Sequence, residues 1–232
     1  MSHHHHHHHA PDYRQAFVIG IALNLTFVAV EFYYGTISHS LALVADAGHN
    51  LSDVLSLALA WAATMLSKRS PTPRRTYGLR RSSILASLTN AVVLLIAVGA
   101  IAWESVQRLS RPAPVAEQTV MWVAALGIVI NTLTALLFFS GRKGDANVRG
   151  AYLHMAADAA VSAGVVASAI VLRYTGWLWL DPAMSLLICL VILLGTWGLL
   201  KESLNLALDA VPEGIELSVV KAYLAPGPAT RW

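Results

Sequence analysis

Charge and sulfur are both scarce in this chain. Only 12% of its 232 residues are Asp, Glu, Lys or Arg, about half the fraction of an ordinary soluble domain. A single cysteine, Cys189, excludes an intrachain disulfide and leaves no thiolate pair for a soft ion such as Cu⁺. The H-E-x-x-H signature of zinc hydrolases is missing, and with it an evident acid–base partner for intramembrane metalloenzyme chemistry. What fills the chain is apolar: 56% of residues are hydrophobic and mean hydropathy is +0.57. The apolar residues fall in blocks long enough to cross lipid. These proportions describe an all-α, polytopic membrane protein. The net charge of +3 and the pI near 9.2 then orient spans in a bilayer and carry no implication of nucleic-acid binding.

Six apolar runs follow one another near 14–35, 41–66, 82–107, 119–140, 152–173 and 177–200, each with room for the ~20 residues a bilayer requires. The first is too long for a cleavable signal peptide. The chain therefore divides into an arm at 1–10, a six-helix membrane domain at 11–205 and a short tail at 206–232. The arm carries seven consecutive histidines, His3 to His9. It reads equally as an added purification tag or as a native segment that gathers metal, and in both cases as disordered. The connection at 68–81 holds six basic residues and no acid; that at 141–150 holds Arg142, Lys143 and Arg149 against Asp145. The other connections are uncharged or balanced, with Arg111 set against Glu117. Positive charge stays in the cytoplasm, so both termini are expected there. The expected location is a bacterial inner membrane. In the tail, Pro212 is suited to open a helix with Glu213 and Glu216 in its first turn.

Two of the spans carry the same polar signature. His49 precedes Asp53 by four residues in the second, and His154 precedes Asp158 by four in the fifth. On a helix this spacing puts each pair on one face, one turn apart. The two spans run in opposite directions, so His49 would lie level with Asp158 and Asp53 with His154. Two nitrogens and two oxygens suit a tetrahedral ion of the Zn²⁺ type, with Cd²⁺ or Co²⁺ as alternatives, better than the all-oxygen preference of Mg²⁺ or Ca²⁺. Two aspartates and one Zn²⁺ also sum to zero charge, which makes a mid-membrane location tolerable. Metal must displace protons from such a site. Asp46, one turn before His49, either orients that imidazole, relays protons, or lines an outward vestibule. Glu31 is expected to meet water near the outer end of its span. Asn24, Asn90 and Asn131 are expected in interhelical hydrogen bonds, and Trp122, Trp177 and Trp179 at the membrane interfaces.

The run S-L-A-L-V-A-D-A-G-H-N-L-S-D at 40–53, with H-x-x-x-D at 154–158, closely resembles the zinc-transporting branch of the cation diffusion facilitator family. Weaker likenesses are Tyr77-Gly78, Asn90, Asn131, Asp181-Pro182 and Lys201-Glu202-Ser203. The resemblance implies a six-helix fold that exports zinc against protons by alternating access, with zinc as substrate and His49, Asp53, His154 and Asp158 as its ligands. It also implies a homodimer. The chain departs from the pattern in three places. Ser82 and Ser83 stand where many members have an acid. The 68–81 connection lacks His, Asp, Glu and Cys, so the family's extra site there is absent. The usual cytoplasmic domain is represented only by its beginning, Val211 to Glu216, so that the tail reads as its remnant. Rival readings are the metalloenzyme and a membrane subunit that binds metal without transporting it.

Overall fold

The computed structural model describes residues 14–67, 82–140, 142–143, 146–211 and 214–224. Among them there are six long helices and one short one: α1 (Arg14–Ile37), α2 (Leu41–Ser67), α3 (Ser82–Ser110), α4 (Glu117–Phe139), α5 (Ala146–Thr175), α6 (Leu180–Ala207) and α7 (Leu217–Leu224). No strand occurs among the described residues. The His-rich arm, the basic 68–81 connection and Pro212 lie outside the described residues. The short helix starts at Leu217, beyond the Glu216 expected in its first turn.

Among the described residues five helices are long and apolar enough to cross a membrane: Val18–Ile37, Ile84–Ser110, Glu117–Phe139, Val148–Thr175 and Leu180–Ala207. The first half of α2 carries the polar residues Asp46, His49, Asn50, Ser52 and Asp53.

Helix ends follow local chemistry. At the α1–α2 corner His39 takes φ 56°, and Gly35 packs so tightly there that a Cβ would stand 3.0 Å from that of Leu43. At the end of α5, Gly176 at φ 69° gives its N–H to the Leu172 carbonyl at 2.8 Å, the left-handed cap that glycine makes without strain.

The longest pairings are α4 with α5 and α3 with α6. Helix α2 packs on α1, α3 and α6 and meets α5 only over a short stretch. The buried apolar cluster draws on Phe27, Leu43, Val123, Val165 and Ile188. These residues crowd the half of the bundle that carries the connections 38–40, 111–116 and 176–179. That end is also bonded across chain segments. The Ala116 N–H reaches the Ser38 carbonyl at 3.0 Å, Arg108 Nη1 donates to the His39 carbonyl at 2.6 Å, and the Ser105 hydroxyl meets that of Ser185 at 2.9 Å. We call it the tied end. The opposite end, with Arg142 and Lys143, is the basic end.

Candidate metal centre

Helices α2 and α5 run antiparallel, and where they approach, their two His-Asp pairs meet. His49 Nε2 lies 3.6 Å from Asp53 Oδ2 and 3.5 Å from Asp158 Oδ1. His154 Nε2 lies 3.2 Å from Asp53 Oδ2 and 3.6 Å from Asp158 Oδ2. Each imidazole thus faces both carboxylates, and the ring centroids of the two histidines are 6.0 Å apart. Among the described residues no group of three or more His, Cys, Asp or Glu side chains is placed to hold a metal ion as it stands; what is present is this ring of contacts.

The four His–Asp separations are on the scale of a small cation's shell, and two of the carboxylate oxygens lack a hydrogen bond. Bonds of about 2.0–2.1 Å in a tetrahedron put neighbouring donors roughly 3.3–3.4 Å apart, within the span of the four His–Asp separations. Asp53 Oδ2 and Asp158 Oδ2 are buried, yet neither accepts a hydrogen bond from the described residues. A buried carboxylate oxygen with imidazole nitrogens beside it but no hydrogen bond is costly, and a divalent ion would satisfy both oxygens at once.

Exposure across the ring is graded. The Asp158 side chain is 2% exposed and that of His49 20%, whereas those of Asp53 and His154 are 33% and 39%. The two more open residues are those nearer the basic end, so the site is closed towards the tied end and accessible from the basic one.

A second set of buried acids lies one turn deeper. Asp46 is buried, and its Oδ2 accepts the Ser162 hydroxyl of α5 at 3.3 Å; its Oδ1 has no partner among the described residues. Glu31 is 0% exposed, against the expectation that it meets water, and Asn50 Nδ2 donates to its Oε2 at 3.3 Å. The reason is its face. Glu31 stands one turn after Phe27, which fills the interior against α4, and i,i+4 residues share a side. Nearness to a span's end does not reveal that. Asn50 and Ser162 escaped notice in the sequence, although each had a signal: Asn50 adjoins His49, and Ser162 follows Asp158 by one turn. Asn24 donates to the Met155 sulfur at 3.3 Å and Asn90 to the Ser52 hydroxyl at 3.4 Å, both between helices. The Asn131 side chain makes no hydrogen bond with any described residue.

The comparisons with known proteins agree with this architecture. The profile described as the cation efflux transmembrane domain matches residues 17–206. The chain is 39% identical over 213 residues to the metal cation efflux system protein CzcD of Cupriavidus metallidurans, across 92% of this chain and 67% of that protein. It is 37% identical over 223 residues to the zinc transporter ZitB of Escherichia coli K12, across 95% of this chain and 71% of that one. It is 32% identical over 207 residues to the cadmium, cobalt and zinc/H(+)-K(+) antiporter of Bacillus subtilis, across 88% and 67% respectively. These relatives bear the names of transporters, not enzymes. The membrane-domain match and the long apolar helices make this an integral membrane protein. The chain belongs to the cation efflux family, the cation diffusion facilitators that its His-Asp motifs resemble.

Proposed function

We propose that the chain exports a divalent transition-metal ion, Zn²⁺ foremost and Cd²⁺ or Co²⁺ as alternatives, in exchange for protons. His49, Asp53, His154 and Asp158 are the substrate's ligands, and all six long helices span the membrane. The observation that carries this reading is the ring itself: four donors from two separate helices, each imidazole within 3.2–3.6 Å of both carboxylates. The relatives' printed names, among them a zinc transporter and a zinc/H(+)-K(+) antiporter, support the cargo and the exchange.

The basic end is the cytoplasmic one in this reading, because Arg142, Lys143 and Arg149 lie there, with the basic 68–81 connection on the same side of the sequence topology. The graded exposure of the ring then corresponds to an inward-accessible state. Zinc enters by His154 and Asp53, displaces protons from the donors, and reaches Asp158 and His49. With two carboxylates and one Zn²⁺ the ring is neutral; with protons on both imidazoles and no metal it is neutral again. Neither crossing then carries net charge through lipid. On the far side protons displace the metal.

The test is zinc flux into proteoliposomes under an imposed pH gradient. Acid on the trans side should speed zinc movement, and luminal pH should change as zinc moves. Asp158→Ala should abolish the flux while leaving the protein folded. Unaltered flux in that variant overturns the site; flux indifferent to the gradient, with no proton counterflow, overturns the exchange. Zinc binding without any flux would instead identify a subunit that binds metal without transporting it.

A further inference from the structure

We infer that Asp181 is a positioning residue for the metal ring: reaching from α6, its carboxylate caps the N-terminus of α2 and fixes where that helix presents His49 and Asp53. This rests on the assignment of α2 as a metal-bearing helix and goes beyond it.

Asp181 lies in the first turn of α6 and is 4% exposed. Its Oδ2 accepts the backbone N–H of Leu41, the first residue of α2, at 2.8 Å. Its Oδ1 accepts the hydroxyl proton of Ser40 at 2.5 Å. Ser40 in turn accepts the Leu43 N–H at 3.3 Å, the ordinary arrangement of a serine N-cap. The opening of α2 is therefore capped twice, once by its own serine and once by a carboxylate from another helix. The negative charge faces the positive end of the helix dipole, where it is stabilising.

Two further observations give the cap a purpose. Helices α4 and α6 begin without a side-chain hydrogen bond from their own N-cap residues, Ala116 and Trp179, so the double cap on α2 is not shared by these two spans. And α2 shares far less contact with α5 than with α1, α3 or α6, so direct packing between the two metal-bearing helices, which includes the Ser162–Asp46 hydrogen bond, contributes less to their spacing than the other neighbours do. The place of α2 is set by α1, α3 and α6, and at its N-terminus by Asp181. From Leu41 to His49 is about 12 Å along the helix, and to Asp53 about 18 Å. A small tilt or rotation at the cap is carried over that length into the ring, where the donor contacts span only 3.2–3.6 Å.

The test measures zinc binding by calorimetry on the purified full chain with zinc chloride, together with the Zn²⁺:Cd²⁺ affinity ratio and thermal unfolding. Asp181→Ala should lower zinc affinity about tenfold, the usual scale for a residue that holds ligands in place, and narrow the preference for Zn²⁺ over Cd²⁺. Ser185→Ala, which removes the Ser105 contact at the same end of α6, serves as the control and should leave both unchanged. Asp181→Glu should recover part of the lost affinity. A lower unfolding temperature in Asp181→Ala with zinc affinity and metal ratio intact would make the cap purely structural and overturn the inference. If Asp181→Ala does not fold, Asp181→Asn and Ser40→Ala carry the test, since each weakens the pairing without emptying the position; a weakened affinity in both supports the inference and an unchanged one overturns it. Failure of the ring assignment is distinguishable, because Asp158→Ala would then retain zinc binding.

Discussion

At the scale of single residues, the ring divides its work between hard and borderline donors. In the proposed site the carboxylates would offset the charge of the cation, while the imidazoles would select among cations of like charge. His49→Asp would leave three oxygens and one nitrogen around the ion. That variant should lose preference for Zn²⁺ and let Mn²⁺ or Cd²⁺ compete better, read from metal competition in the flux assay; an unchanged metal profile would place selectivity outside the imidazoles. The convergence of these four side chains was legible in the sequence, because a four-residue spacing and an antiparallel run fix which donor lies level with which. The acids behind the ring were less so. Asp46 and Glu31 were visible as intramembrane carboxylates, but their partners, Ser162 and Asn50, depend on helix rotation, which spacing along one chain does not supply. Asp181 carried only a likeness to a family motif. Its bond to a residue 140 positions earlier is a tertiary fact.

At the scale of elements, close approach is tested by adding a methyl group. At Gly127 of α4 a Cβ would stand 2.7 Å from Phe27 Cζ and 3.0 Å from Ser162 Oγ. Phe27 is buried in the core and has little room to yield. Gly127→Ala should therefore cost about 1–3 kcal/mol of overpacking, offset by at most about 1 kcal/mol of helix propensity. At Gly164 the only close neighbour is the terminal methyl of Met184, at 2.8 Å, on a side chain flexible enough to move. Gly164→Ala should leave stability level or raised. Unfolding temperatures in detergent decide this; equal losses in both variants would refute the contrast. Element boundaries show where hydropathy stops informing. Helix α5 starts at Ala146, well before its apolar run, and α6 continues to Ala207. Hydropathy marks the apolar length, whereas the exposed Arg149, Lys201 and Glu202 extend the same helices beyond it without ending them.

At the scale of the whole molecule, orientation follows from where cations sit. The buried Cys189 leaves a quiet background for labelling introduced cysteines. Arg111→Cys at the tied end should react with a membrane-impermeant maleimide applied to intact cells, and Lys143→Cys at the basic end only after permeabilisation. The reverse pattern would invert the proposed direction of export. The short meeting of α2 and α5 has a consequence for the molecule in its loaded state. In the proposed site an ion between their side chains would join two helices otherwise held over a short seam that includes the Ser162–Asp46 hydrogen bond, so the cargo would act as a removable rivet. Its binding free energy is then also cohesion of the bundle. Zinc at a hundred times its dissociation constant adds about 2.7 kcal/mol to the loaded form, and the bundle should loosen along that seam each time the ion departs.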